Sequence, residues 1–137
     1  AALWPALTST APLGWGDALA AAVTLIGIGC EALADQQLRA FRLQRLPRGT
    51  ILKTGIWAWS RHPNYFGEMT FWWGLFIFAA FTAPWVWWTI VGALSINLLF
   101  VTVSLPMIEE RHAARRDGWR AHADTTPRVF LRPPRAG

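Results

Sequence analysis

Ser60-Arg61-His62-Pro63-Asn64-Tyr65-Phe66-Gly67-Glu68 concentrates ionisable and amide side chains just before an apolar run that starts near Met69. A soluble loop has no need of such a cluster. A site that holds a polar cofactor beside a greasy substrate does. His62 followed by Pro63 is stiff, and Asn64 offers both an amide donor and an acceptor. Asn64, Glu68 and Trp72 recur every four residues, so on a helix they form one row, polar at the top and aromatic at the bottom. Such a row suits a ligand that is polar at one end. The competing reading puts Arg61 and His62 on lipid headgroups and pairs Glu68 with a nearby arginine.

A second constellation is Glu31-x-x-x-Asp35-x-x-x-Arg39-x-x-Arg42, whose spacings of four, four and three also share one helical face. Two arginines one turn apart make a fork for phosphate oxygens, and the two carboxylates can accept from ribose hydroxyls or an amide. The competing reading is a plain Asp35–Arg39 ion pair anchoring a helix end. A third is Glu109-Glu110-Arg111-His112 with Arg115 and Arg116 one turn on. Taken alone this is a solvated helix face, and it gains interest only if it shares a membrane side with the other two.

These clusters need long apolar elements to position them. The chain has 137 residues, room for one domain (residues 1–137), and is 53% hydrophobic with ten tryptophans and only 15% charged residues. Soluble domains carry about 25% charged residues. Three segments are long and apolar enough for a bilayer, roughly Trp15 to Ala34, Tyr65 to Pro84 and Trp85 to Ile108. The expected fold class is therefore all-α: a polytopic transmembrane helical bundle of about three spans. A charged amphipathic helix is expected over Glu109 to Ala123, then an extended, proline-rich tail. Gly27, Gly29 and Gly74 are small positions suited to close helix contacts in lipid. The many tryptophans near span ends read as an aromatic belt.

All thirteen lysines and arginines fall in two places: Arg39, Arg42, Arg45, Arg48, Lys53 and Arg61, then Arg111, Arg115, Arg116, Arg120, Arg128, Arg132 and Arg135. Two spans separate the groups, so both face one side, which the positive-inside rule makes cytoplasmic. The uncharged start, Ala1 to Gly16, and the Thr82-Ala83-Pro84 turn face the other. The expected location is a bacterial inner membrane or the endoplasmic reticulum. A pI near 11.0 would fit nucleic acid. Juxtamembrane charge is better explained by anionic membrane lipid or an anionic cofactor, so no nucleic-acid partner is expected. Cys30 lies inside a span and reads as a packing residue. No Cys/His set has zinc spacing, no soluble-type phosphate loop occurs, and there is no nucleophile elbow.

At these residues the chain resembles the steroid 5-alpha-reductase-like membrane reductases (3-oxo-5-alpha-steroid 4-dehydrogenases), specifically their C-terminal half. Residues 31 to 42 are similar to that family's Asp/Arg/Arg helix. Thr54-Gly55-Ile56-Trp57 through Phe66-Gly67-Glu68, then Trp72-Trp73-Gly74, resembles its most recognisable signature. Glu109 to Arg111, Trp119 and the proline-rich end are similar to its C-terminal helix and tail. The shorter pattern Arg61-His62-Pro63-x-Tyr65-x-Gly67, with Glu109-Glu110, is also similar to isoprenylcysteine and phospholipid methyltransferases.

The resemblance implies NADPH bound from the cytoplasmic side and reduction of a carbon–carbon double bond conjugated to a carbonyl in a steroid or other lipid-like substrate. Asp35, Arg39 and Arg42 match positions that hold ribose and phosphates, and Asn64 matches one near the nicotinamide amide. Arg61, His62, Tyr65, Arg111 and His112 complete the expected cofactor-binding set. Glu68 and Trp72 match the substrate wall. The family's proton-donating pair lies in N-terminal helices that this chain does not contain, so Glu68 is the one catalytic candidate here. Missing N-terminal helices are expected to complete the site. His122 stands where a second tyrosine is common, and Leu131 falls near an expected proline. Two other readings stay open: an S-adenosylmethionine-dependent membrane methyltransferase and a non-catalytic, truncated membrane module. The Arg39/Arg42 fork favours the reductase, because a cationic methyl donor without phosphates does not need it.

Overall fold

A computed structural model of the protein describes residues 12–133. Most of the uncharged start, and Pro134 and Arg135 of the tail, lie outside the described residues. Among the described residues every regular element is helical. Helix α1 is Trp15–Leu43, a 3-10 turn follows at Gly55–Ala58, and α2 is Pro63–Thr82. A second 3-10 segment, Pro84–Thr89, leads into α3, Ile90–Leu99, which continues through a π-helical turn, Phe100–Ser104, into α4, Leu105–Arg115. The short α5 is Trp119–Thr125.

Two helices are long and apolar enough to cross a membrane: α1, and the continuous run Trp87–Arg115, each of 29 residues. Only 17% of the apolar window of each is buried within the protein, the opposite of a soluble core helix. Leu25, Ile26, Ile28 and Leu33 of α1 and Val91, Leu94, Leu98 and Leu99 of α3 are exposed instead. A 29-residue helix is about 44 Å long against a hydrocarbon core of about 30 Å. The charged last turns of α1 and α4 therefore extend past an apolar stretch already long enough to span.

α1 and α2 form the main interface of the molecule. They run antiparallel, and small residues let their backbones touch. α1 buries Gly16, Ala20, Gly27 and Ala34, and α2 buries Pro63, Gly67, Gly74 and Ala79. A Cβ on Gly27 would stand 2.5 Å from the Phe71 nitrogen and 2.7 Å from the Gly67 carbonyl oxygen. Gly74 packs against Thr24 in the same way. Gly29, expected to share this role, has nothing within 4 Å and faces away. Gly67, read as part of the polar motif, is instead half of the tightest helix contact.

The π turn sits just ahead of Pro106. A proline inside a helix has no N–H to donate and its ring crowds the carbonyl four residues back, here Thr102. Widening the ladder at Phe100–Ser104 lets the helix run on to Arg115. The single charged helix expected over Glu109–Ala123 is two helices. Gly118 takes φ +81 and divides α4 from α5. That break turns the chain back over the end of the bundle.

Candidate functional site

The end of the bundle where α1 finishes, α2 begins and α4 finishes encloses a cavity of about 280 Å³. α1 contributes Leu38, Phe41 and Arg42; the connecting loop contributes Ile51, Leu52 and Trp57. Arg61, His62, Asn64 and Tyr65 come from the entry to α2. Ile108, His112 and Arg116 come from α4 and its end, and Trp119 and His122 from α5. Of the expected cofactor residues, the fold therefore gathers Arg42, Arg61, His62, Asn64, Tyr65 and His112 around one space.

Asp35, Arg39 and Arg111 do not line it and are exposed. Arg42 is the member of the α1 row that reaches the end where the loop and α4 converge. On α4 the lining residues are Ile108 and His112, four apart on one face, and Arg111 lies off that face. Glu68 and Trp72 also lie off the lining. Each turn carries the row about 5–6 Å further from Asn64, so these two sit deeper along α2, half-buried. No Asp35–Arg39 ion pair occurs among the described residues.

All ion pairs among the described residues end on Glu109. Its Oε1 lies 2.6 Å from an Arg61 terminal nitrogen and 3.3 Å from His62 Nε2. Its Oε2 lies 2.9 Å from Arg128 Nε, at an angle unlike that of a linear hydrogen bond. The tail then straps this corner. Arg61 N–H donates to Pro127 O at 2.9 Å and Arg61 Nε to Thr126 O at 3.1 Å. The fully buried Ser60 hydroxyl donates to Val129 O at 2.8 Å and accepts from His62 N–H at 3.2 Å. Arg132 N–H closes the strap on Trp59 O at 3.1 Å.

His62 is pushed down to about 4, first by burial and then by the facing charges of Arg61, Arg128 and His122. Glu109 does not restore it, because the two arginines already balance that carboxylate. His122 is likewise pushed down to about 4, by burial and by Lys53, Arg61 and Arg116. Both imidazoles are thus neutral at pH 7. Neutral His62 keeps its Nε2 proton toward Glu109, which leaves Nδ1 as an acceptor.

The unfolded chain takes up protons near pH 6.5 and the fold resists them down to about pH 4. Stability is expected to be full above pH 6.5, to fall between 6.5 and 4, and to stop falling from this cause below 4. Thermal melts across that range check it. His122→Gln should flatten part of the slope.

Asn64 Oδ1 and His112 Nδ1 are buried at this site without a hydrogen-bond partner. Buried polar atoms are nearly always paired, so these two are free to bond a ligand atom or a water in the cavity. α2 also opens toward the cavity with its positive end. Pro63 occupies its first position, and the N–H groups of Asn64 and Tyr65 have no acceptor within the helix. Arg42 and Arg116 face the space with no carboxylate partner among the described residues. Burial and the nearness of Arg42 both push the Arg116 guanidinium down. Arg116 also lies 5.8 Å over the Trp119 ring. The arrangement can hold an anion with an aromatic or amide-bearing group beside it.

Glu109, Arg116, Trp119, His122 and the strap were not among the expected site residues. One partial signal was legible: Arg116 stands four residues after His112, one helical turn, whereas Trp119 and His122 lie beyond the Gly118 break. The strap left none, since its bonds are made by backbone. One protein-family model, described as "Protein of unknown function (DUF1295)", matches residues 3–126. No curated protein and no solved structure gives a significant match to the chain.

Proposed function

The chain belongs to the family described as "Protein of unknown function (DUF1295)", and from that premise we propose that it is a membrane oxidoreductase that binds NADPH and reduces a conjugated carbon–carbon double bond in a steroid or other lipid-like enone. The observation that carries the reading is the pair of guanidiniums, Arg42 and Arg116, that line one cavity without a carboxylate partner among the described residues. Two like charges on the rim of one cavity favour a polyanion between them. A methyl donor carrying a sulfonium and no phosphate gains nothing there. The resemblance to steroid 5-alpha-reductase-like enzymes supplies the reaction class.

The residues present fit the cofactor. Arg42 and Arg116 would hold pyrophosphate oxygens, aided by the positive end of α2. Asn64 Oδ1 would accept from a carboxamide, and Trp57, Tyr65 and Trp119 would exclude water. NADPH, when bound, supplies a hydride. The chain's own part is to orient that end against a substrate lying along Glu68 and Trp72. Reduction of the conjugated double bond would place the supplied hydride on the β carbon and a proton from water on the α carbon, with an acid of the protein polarising the carbonyl oxygen. Glu68 is the candidate for that last role within this chain.

Calorimetric titration of the detergent-solubilised protein tests the cofactor. NADPH should bind, and S-adenosylmethionine should not. Binding of S-adenosylmethionine without NADPH would establish the methyltransferase reading instead. Arg42→Ala and Arg116→Ala should each weaken NADPH by about 1–3 kcal/mol, the loss of one charge-assisted contact. Arg39→Ala should change it little, because Arg39 is exposed and off the cavity.

In the membrane, the 20-residue α2 is the third span, with the cavity, the basic loop and the tail on the cytoplasmic side. Arg45→Cys and Thr125→Cys should both react with an impermeant thiol reagent from that side only. Labelling of the two from opposite sides would refute this topology.

A further inference from the structure

Phe41, Ile51 and Leu52 line the cavity and also a second, more open hollow of about 480 Å³, whose other walls include Gln44, Lys53 and Thr54. The two spaces are neighbours across that common wall. At about 280 Å³ the first lies just under the roughly 300–1,000 Å³ usual for small-molecule sites. It has room for one end of a two-nucleotide ligand, and the hollow is where the rest can continue.

Charge points the same way. Glu109 is shared by Arg61 and Arg128 and holds both at the corner, while Arg42 and Arg116 have no carboxylate partner among the described residues and match the two negative charges of a pyrophosphate. A phosphate monoester adds about 1.5 to 2 negative charges at pH 7, more than these two guanidiniums match. Lys53 is the chain's single lysine. It lines the hollow, and it has no ion pair among the described residues. It follows directly on Leu52, a residue of the common wall.

The loop that carries Lys53 is anchored on both flanks. Thr50 Oγ1 donates to Pro47 O at 2.7 Å, and Gly49, at φ +91, lies against the Arg115 backbone. Downstream, Ile56 N–H donates to Gln37 Oε1 and Trp57 Nε1 to Ala34 O, each at 3.0 Å. An ammonium on a flexible stem above such a base is suited to a phosphate as a point charge.

We infer that the hollow takes the adenosine end of the dinucleotide, and that Lys53 binds its 2′-phosphate and so selects NADPH over NADH. The inference rests on the dinucleotide reading above and deepens it.

The test uses the full chain in detergent and four probes: NADPH, NADH, 2′,5′-ADP and 5′-AMP, which lacks the 2′-phosphate. Lys53→Met should weaken 2′,5′-ADP about tenfold or more, as loss of a charge-assisted contact predicts. The same variant should leave 5′-AMP within about twofold and collapse the NADPH preference, and Lys53→Arg should restore much of it. Lys53 is exposed, so an unchanged melting temperature should accompany these effects. If Lys53→Met leaves 2′,5′-ADP binding and the NADPH:NADH ratio unchanged, Lys53 is not the selector. If the wild type binds both dinucleotides alike, selection is refuted while the dinucleotide reading stands. If it binds neither dinucleotide, the reading of the cavity itself falls.

Discussion

Glu109→Ala is expected to destabilise the protein by about 3 kcal/mol and to abolish ligand binding at the cavity. The carboxylate is the common partner of Arg61, His62 and Arg128. Arg61 keeps only 12% of its side-chain surface in solvent, so losing its partner leaves a charge that water cannot fully recover. Breaking a buried pair from one side costs about 3–5 kcal/mol. Glu109 retains 18% exposure, which places it at the lower end.

The effect on binding follows from the same geometry. Without the carboxylate, Arg61 and Arg128 repel, His62 loses the group that orients its Nε2 proton, and the corner that begins α2 is freed. Glu109→Gln should be intermediate, since it keeps a hydrogen-bond acceptor and loses the charge. Glu110→Ala is the control: Glu110 is exposed and in no ion pair among the described residues, so its cost should stay within about 0.5 kcal/mol. Thermal melts and titrations of the three variants in detergent check this. Equal losses for Glu109→Ala and Glu110→Ala would show that the cluster is an ordinary solvated helix face.

Gly67→Leu should be at least as severe, costing more than about 3 kcal/mol. A Cβ there would meet the Glu31 nitrogen at 2.5 Å and the Gly27 carbonyl oxygen at 2.7 Å. Both are backbone atoms of α1 and cannot rotate aside. Ordinary overpacking of a core costs about 1–3 kcal/mol because side chains yield. Here whole helices must separate, and the main interface of the molecule opens with them. Gly67 lies one turn below Pro63 and Asn64, so the cavity floor moves as well. Gly29→Leu on the outer face of α1 should be tolerated, because nothing stands within 4 Å of the added atom. Unfolding in graded denaturing detergent would compare the two. Similar midpoints for both variants would contradict the close helix contact.

Much of this architecture was legible because helical periodicity and hydrophobicity are local. The run Trp15 to Leu43 has an apolar body and a charged end, and nothing in it competes with a helix. Pro63 set the start of α2. Nine residues were expected to share one site because each sits at the polar end of an apolar segment, and six of them, Arg42, Arg61, His62, Asn64, Tyr65 and His112, line one cavity.

Local pattern could not say which members of each row face inward. Asp35, Arg39 and Arg42 share a face, yet only the last reaches the cavity, whose α1 wall is Leu38, Phe41 and Arg42. Glu109 and Glu110 are indistinguishable as letters, and a 100° rotation makes one a triple ion-pair partner and the other a surface residue. Gly27 and Gly29 differ the same way: one touches the Gly67 and Phe71 backbone, and the other faces away. The strap from Thr126 to Arg132 is invisible to side-chain reading, since most of its bonds use backbone carbonyls and N–H groups that every sequence possesses. Composition and period thus determined that helices form and which ends are polar. Rotation about each helix axis, and the pairing of distant backbone atoms, arise only when the elements pack, and those decided the site.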